Sequence, residues 1–303
     1  MKKTILIFYL LLNFCWGYSQ LNPADDMKHT EPQKGLVKKE TILDEDSVGK
    51  DPYLFEVTYY NNLGYETSSF KFNNKGDTLK QTLTYYLGNG LELILFVEKG
   101  QQDSVFEQYN ERNFLVNDLW LMGPEEPSDR DSTYYYYDAN GNLTKMDEKY
   151  WKNTEVYTYK NNKIISVLTT DADVDIEDGE KPEVYISTTY KYLDGGKKIE
   201  MMDYIGKDAP FSKTIVTLNN KNSPSLRERY VYKEGKFIFD SKREYIYYVN
   251  GIIKSEISSH YQNDILQYTY ILNYNEKGLL EETVYDYPKI SKKITHRMKY
   301  YYN

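Results

Sequence analysis

Apolar and polar positions alternate along most of this chain. Leu266, Tyr268, Tyr270, Leu272 and Tyr274 fall on one side of an extended segment, and Gln267, Thr269, Ile271 and Asn273 on the other. Phe237 and Phe239 alternate in the same way with Lys236 and Ile238. Phe114–Met122 comes nearest to a helix, yet it follows a turn motif and also alternates with period two. The pattern predicts roughly 20 strands and no amphipathic helix.

A recurring turn punctuates the alternation. Tyr137-Asp138-Ala139-Asn140-Gly141 has relatives at Tyr60–Gly64, Phe72–Gly76 and Tyr274–Gly278. An aromatic residue ends a strand, and Asn or Asp opens a type I turn by accepting backbone hydrogen bonds. Gly64, Gly76, Gly141 and Gly278 then supply the positive φ of a G1-bulge hairpin. Asn113 and Asn222 take that place in two copies, and Gly90 and Gly196 close two variants. Two-residue loops at Asn161-Asn162, Glu234-Gly235 and Asn250-Gly251 fit type I′ hairpins, closed in the last two by Gly235 and Gly251.

These turns predict an all-β fold: a long antiparallel meander of repeated β-hairpins. Longer connections at Gly123–Ser132, Asp171–Pro182, Gly206–Pro210 and Tyr287–Lys292 predict one regular and one irregular edge. Laid flat, such a sheet would span about 95 Å, with no helix to cover an apolar face. It must twist and curl into a spiral, a barrel-like shell or stacked layers. The chain reaches Tyr300-Tyr301-Tyr302-Asn303 where a further turn would begin, so the array is expected to stop in mid-unit.

The N-terminus changes the compartment. Lys2 and Lys3, an apolar run from Ile5 to Leu12, and Gly17 and Ser19 before Gln20 read as a secretory signal over residues 1–19. Residues 20–34 form a polar tail, and 35–303 a single repeat domain. A lipoprotein anchored through Cys15 is not expected, because Phe14 stands where a small residue is needed. Loss of the signal removes Lys2, Lys3 and the single cysteine but no acid, taking the formal charge from −8 to −10. An acidic chain without a cysteine or a long apolar run is not expected to bind nucleic acid, form disulfides or carry a transmembrane segment. The 34 tyrosines suit strands whose rings are covered while their hydroxyls stay wet, that is, cross-strand ladders.

The element Tyr137-Asp138-Ala139-Asn140-Gly141-Asn142-Leu143 resembles the YD repeat of the RHS family, and the wider set of turns resembles a degenerate array of the same kind. The resemblance implies an exported or surface-exposed β-repeat protein with a spiralling sheet that wraps a toxin or binds ligands. This chain has too few repeats for a toxin-sized shell, and neither a toxin domain nor a self-cleavage motif is seen in it, so the β-repeat fold is what carries over.

Candidate chemistry is sparse. His260, with Ser258 and Ser259 before it and Asp264 after it, reads as a loop histidine, and His296 as a solvated one. There is no H-E-x-x-H motif, P-loop or G-x-G-x-x-G. Asp171, Asp173, Asp175 and Asp178 alternate as oxygen ligands of a Ca²⁺ loop do, but Ile176 and Pro182 break the EF-hand pattern, so a solvated acidic loop with no bound cofactor is the plainer reading. Asp46-Ser47-Val48, Asp77-Thr78-Leu79, Asp103-Ser104-Val105 and Asp131-Ser132-Thr133 resemble an O-glycosylation acceptor of exported proteins of some Gram-negative bacteria. Trp120, Tyr134, Tyr135, Tyr136, Tyr137 and Trp151 are candidates for an aromatic platform. The expected function is a non-enzymatic interaction or structural surface, with a protein or glycan partner at the cell envelope. A carbohydrate-binding module is the alternative, and a glycosidase with two facing acids a more distant one.

Overall fold

The computed structural model describes residues 32–45, 51–121, 130–149, 153–171, 183–206 and 209–302. They form twenty strands and no α-helix. The first ten are β1 (Leu36–Glu45), β2 (Tyr53–Tyr60), β3 (Glu66–Phe72), β4 (Thr78–Gly88), β5 (Leu91–Glu98), β6 (Gln101–Tyr109), β7 (Leu115–Leu121), β8 (Arg130–Tyr137), β9 (Leu143–Glu148) and β10 (Asn153–Lys160). There follow β11 (Lys163–Asp171), β12 (Glu183–Leu193), β13 (Lys198–Ile205), β14 (Ala209–Leu218), β15 (Pro224–Lys233), β16 (Lys236–Tyr247), β17 (Ile253–Gln262), β18 (Ile265–Tyr274), β19 (Leu280–Tyr287) and β20 (Lys292–Tyr302).

Each strand pairs antiparallel with its neighbour in sequence, and β20 pairs with β1 from Leu36↔Tyr302 to Glu45↔Ile294. The meander is therefore a closed barrel. At about 4.8 Å per strand, its wall is about 96 Å around. The closing tyrosines do not end in mid-unit: Tyr300, Tyr301 and Tyr302 pair with Lys39, Lys38 and Leu36, and no edge is left open among the described strands. An outer-wall network ties this seam. Arg297 reaches Asp44 at 3.1 Å and Glu282 at 3.3 Å, and Glu40 takes Lys38 at 2.8 Å and the Tyr301 hydroxyl at 2.5 Å.

Odd-to-even connections and even-to-odd connections lie at opposite rims. One rim carries the turns after β2, β4, β6, β8, β10, β12, β14, β16 and β18, and most copies of the motif are there. In the Asp138 turn, Gly141 N–H donates to the Asp138 carbonyl, and Asn140 and Asn142 N–H donate to Asp138 Oδ1 at 2.8 and 2.9 Å. Asn61, Asn110, Asn219 and Asn275 do the same at this rim, and Asn73 at the other. Gly64, Gly76, Gly141 and Gly278, with Asn113 and Asn222, have positive φ at the closing position. Gly90, Gly196 and Gly235 are likewise left-handed. Asn250-Gly251 is not a two-residue type I′ loop. Only Gly251 is left-handed, its N–H donates to Tyr248, and Tyr248 opens the turn in place of Asn. Lys99-Gly100 and Asn263-Asp264 do have the paired positive φ of that class.

At the motif rim, successive turns are laced together by the residue in third place. Arg112 donates to the Ala139 and Asp138 carbonyls, Lys221 to the Val249 carbonyl and Asn250 to the Glu276 carbonyl. Lys197 caps the turn at Asn219–Asn222 with three hydrogen bonds. Below this lacing lies a second repeated device. Tyr137, Tyr159, Tyr192, Tyr247 and Tyr300, near the ends of even strands, donate to the carbonyls of Leu115, Leu143, Ile164, Pro224 and Leu280 at the starts of the preceding strands. These hydroxyls are thus bonded to backbone.

The ladders carry one face around the wall. From β12 to β20 one inner row runs Tyr192, Ile199, Val216, Arg227, Arg243, Ser258, Tyr270, Tyr285 and Ile294. Buried apolar side chains gather in two inner patches: Phe114, Leu143, Tyr157, Ile164 and Val167, and Ile199, Val216 and Leu218, with Tyr190 packed against both. Outward positions in mid-strand include Lys213, Glu228, Lys242, Glu282 and Arg297, interrupted by an apolar row Tyr85–Leu93–Phe106–Leu119.

Candidate functional site

The inner wall divides by charge. On β5 to β10 it presents Glu92, Glu107, Asp118, Glu148 and Glu155. They have structural partners. Tyr109 donates to Glu107 at 2.7 Å, Tyr135 to Asp118 at 2.8 Å, Tyr157 to Glu155, and Asn153 to Glu148 at 3.1 Å. Burial raises the pKa of Asp118, Glu148 and Glu155 above the ordinary carboxylate range; hydrogen bonds from Tyr135, Asn153 and Tyr157 respectively act in the opposite direction.

Strands β15 to β17 present the opposite charge. Arg227 lies directly across the ladder from Arg243, and Arg229 across from Ser241. On the next strand Ser258 faces Arg243 and His260 faces Ser241. With Lys242, these residues line a cavity of about 60 Å³. Arg243 Nε donates to Ser258 Oγ at 2.8 Å, and its guanidinium is 3.8 Å from the buried Glu256 carboxylate. The Lys242 ammonium is committed to Glu244, 2.7 Å away. Burial lowers the pKa of Arg227, as do Arg243 and Arg229, while Tyr245 and Asp203 raise it.

His260 is a strand residue of β17 whose ring stacks on Tyr268 at 4.4 Å between centroids, rather than a loop histidine. His296 is not solvated: it is half-buried and 5.3 Å from the Phe55 ring. Both bulged strands and the closing seam turn these positions inward, which alternation alone does not reveal. The arginine cluster carried no motif; only Arg at alternate places in Leu226-Arg227-Glu228-Arg229 signalled it.

The aromatic candidates lie on both faces of the wall. Tyr134 and Tyr136 point outward, 38% and 45% exposed, with the Lys149 and Lys145 ammoniums 5.8 and 5.5 Å from their rings. Tyr135 and Tyr137 point inward and donate to Asp118 and Leu115. Trp120 is on the inner face, stacked on Phe96 at 6.0 Å. Trp151, Asp173, Asp175 and Asp178 lie outside the described residues, and Asp171 ends β11. Among the described residues, no group of three or more His, Cys, Asp or Glu is placed to hold a metal ion, and no helix is long and apolar enough to cross a membrane.

No family model matches this chain, and no curated protein sequence does. Among solved structures, a porin-like protein from Bacteroides uniformis aligns at 11% identity and a TM-score of 0.38, over 89% of this chain and 98% of its own. A porin-like protein from Bacteroides vulgatus aligns at 10% identity and 0.27, over 88% and 98%. A TcdB2-TccC3 chain aligns at 11% and 0.32, over 80% of this chain and 16% of its own. Likeness at this level assigns neither family nor activity.

Proposed function

We propose that the protein is an exported, non-enzymatic β-barrel that stands in water at the cell envelope and serves there as an interaction or structural surface. The observation that carries this reading is the charged outer wall of a closed barrel. Lys213, Glu228, Lys242, Glu282 and Arg297 point outward from mid-strand, where a lipid-facing wall would be apolar. Each Lys or Arg there would cost about 2–4 kcal/mol at a bilayer midplane. The tyrosine–carboxylate bonds of the inner wall support a structural use for those acids. The apolar row Tyr85–Leu93–Phe106–Leu119 supports a protein-facing patch.

Detergent-phase partitioning of the native protein tests the reading. It is expected in the aqueous phase, and released from disrupted cells without detergent; recovery in the detergent phase would refute it. The exposed Tyr134 and Tyr136 rings favour carbohydrate binding as a second reading. In a glycan-array screen, binding that survives in the Y134A/Y136A variant would remove these rings from it.

A further inference from the structure

We propose that a cavity at the rim opposite most of the motif turns binds a small organic cation, a single-ring body carrying an ammonium group. The cavity, of about 170 Å³, lies where β1 and β2 meet the turn from β3 to β4. Three rings line it: Tyr53 at the start of β2, Phe55 two residues on, and Phe72 at the end of β3. Two carboxylates stand beside them, Glu45 at the end of β1 and Asp51 just ahead of β2. A bulge helps to gather these groups. Thr41 faces Glu56 and Ile42 faces Leu54, so Phe55 is the extra residue and is re-aimed away from regular pairing. Burial and the Glu45 charge both raise the pKa of the Tyr53 hydroxyl, as expected of a ring that adjoins this carboxylate.

The acids select a cation. Among the described residues, neither Glu45 nor Asp51 has a side-chain hydrogen bond or an ion pair. No third acidic or histidine side chain is placed with them to chelate a metal. An ammonium group would instead meet both negative charges and the π-faces of the rings. Phe55 already attracts one: the Lys71 ammonium is 5.8 Å from its centroid and 3.8 Å from Glu56. Tyr53 and Phe72 are the rings left for a ligand. Asn73 is committed to its own turn, accepting from the Lys75 and Asp77 N–H groups and donating to Asp77 Oδ2, each at 2.9 Å. The exposed Asn74 amide remains for a hydroxyl of the ligand. Size agrees with this. A cavity of about 150 Å³ admits a benzene ring, so this one takes a six-membered ring with a small substituent. The site is separate from the outer wall and from the Tyr134 and Tyr136 rings, and depends on neither reading above.

The ammonium group has two sources, a simple cyclic amine or an amino sugar, and they share this chemistry. The experiment is a calorimetric titration of the purified protein with cyclohexylamine and glucosamine, each against its neutral counterpart, cyclohexanol or glucose. We expect saturable binding of the amines, and binding of the neutral rings weaker by about tenfold or more. The amines should lose about the same factor in E45Q/D51N and in Y53L/F72L. The control E111Q/E276Q removes the same charge from exposed turns of the other rim and should bind normally. Glucosamine bound more tightly than cyclohexylamine assigns an amino sugar, and equal or weaker binding assigns the ammonium group alone. Neutral rings bound as tightly as the amines would overturn the proposal. So would unchanged binding in E45Q/D51N, or no saturable binding. Glu45 and Asp51 hold no partner in the fold, so E45Q/D51N should stay folded, which circular dichroism checks.

Discussion

Tyr137→Phe isolates the hydroxyl of the repeated tyrosine device. The ring stays packed on Phe114, 5.0 Å between centroids, while the 2.7 Å bond to the Leu115 carbonyl is lost. Leu115 is next to a bulge at Val116 in the β6–β7 ladder, where regular pairing is interrupted. A neutral hydrogen bond contributes about 1 kcal/mol net, and a half-buried orphan acceptor adds to the loss. We expect about 1–1.5 kcal/mol, or a few degrees in Tm for a domain of this size. Tyr159, Tyr192, Tyr247 and Tyr300 are on separate strands, so a five-fold Tyr→Phe variant should lose roughly 5 kcal/mol by near-additivity. Urea unfolding of each variant, with outward Tyr134→Phe as the control, measures this. A loss at Tyr137 no larger than at Tyr134 would refute the reasoning. Burial holds the Tyr247 and Tyr300 hydroxyls at about 12, above the ordinary tyrosine value. Their contribution is therefore complete below about pH 10 and is lost as pH rises through 12.

Three further perturbations separate other terms. An added Cβ at Gly64 or Gly90 would sit 2.3 Å from Gln33 O or 2.4 Å from Tyr109 O, whereas at Gly76 it meets nothing within 4 Å. Gly76→Ala should therefore lose only the positive-φ strain of about 1–2 kcal/mol, and Gly64→Ala and Gly90→Ala clearly more; equal urea midpoints would count against this. Asp138→Ala should lose about 1 kcal/mol at neutral pH, and Asp138→Asn almost nothing, since Asn holds the same turn elsewhere. Desolvation raises the Asp138 pKa, but hydrogen bonds from Asn142, Asn140 and Gly141 outweigh it and hold the pKa below the ordinary value. The wild type should thus lose turn stability as pH falls through that depressed pKa, and the Asn variant should not. Burial depresses the pKa of both His260 and His296, so the unfolded chain takes up their protons first. Their contribution is full above about pH 6.5 and falls below it. The loss of Tm between pH 7 and 5.5 should shrink in H260Q/H296Q, and an unchanged slope would contradict it. The buried carboxylates act in the opposite sense in both proteins and cancel in the comparison.

Local chemistry was the legible part of this fold. An Asn or Asp followed three places later by Gly or Asn specifies its own hairpin, and alternation specifies the strands between. The side facing inward was not legible, because both faces mix apolar and polar residues. Tyr268, Tyr270 and Leu272 line the interior, while Ile271, equally apolar, takes the other face of the same strand. Closure was not legible either. A spiral and a barrel share every neighbouring hairpin and differ in one pairing, Leu36–Glu45 with Lys292–Tyr302, whose partners lie at opposite ends of the chain. The arginine cluster needed that geometry as well, since bulges at Arg229/Tyr230 and His260/Tyr261 set which side chains share a face.

That one long-range pairing has a consequence for assembly. Every other strand pairing among the described residues forms between segments adjacent along the chain and can zip up in order. The first strand alone must wait for the last, and until it arrives the unfinished barrel presents two open edges able to pair with other chains. A barrel built this way is most vulnerable to aggregation in the interval before its final strand docks. A loss of the Arg297–Asp44 contact would lengthen that interval even where the finished barrel is hardly weakened. Because Leu36 and Tyr302 meet at the same rim, the order of the strands is topologically a ring cut at one point. Linking Tyr302 directly to Leu36 and opening the ring at another turn of that rim would move the waiting strand without altering the wall.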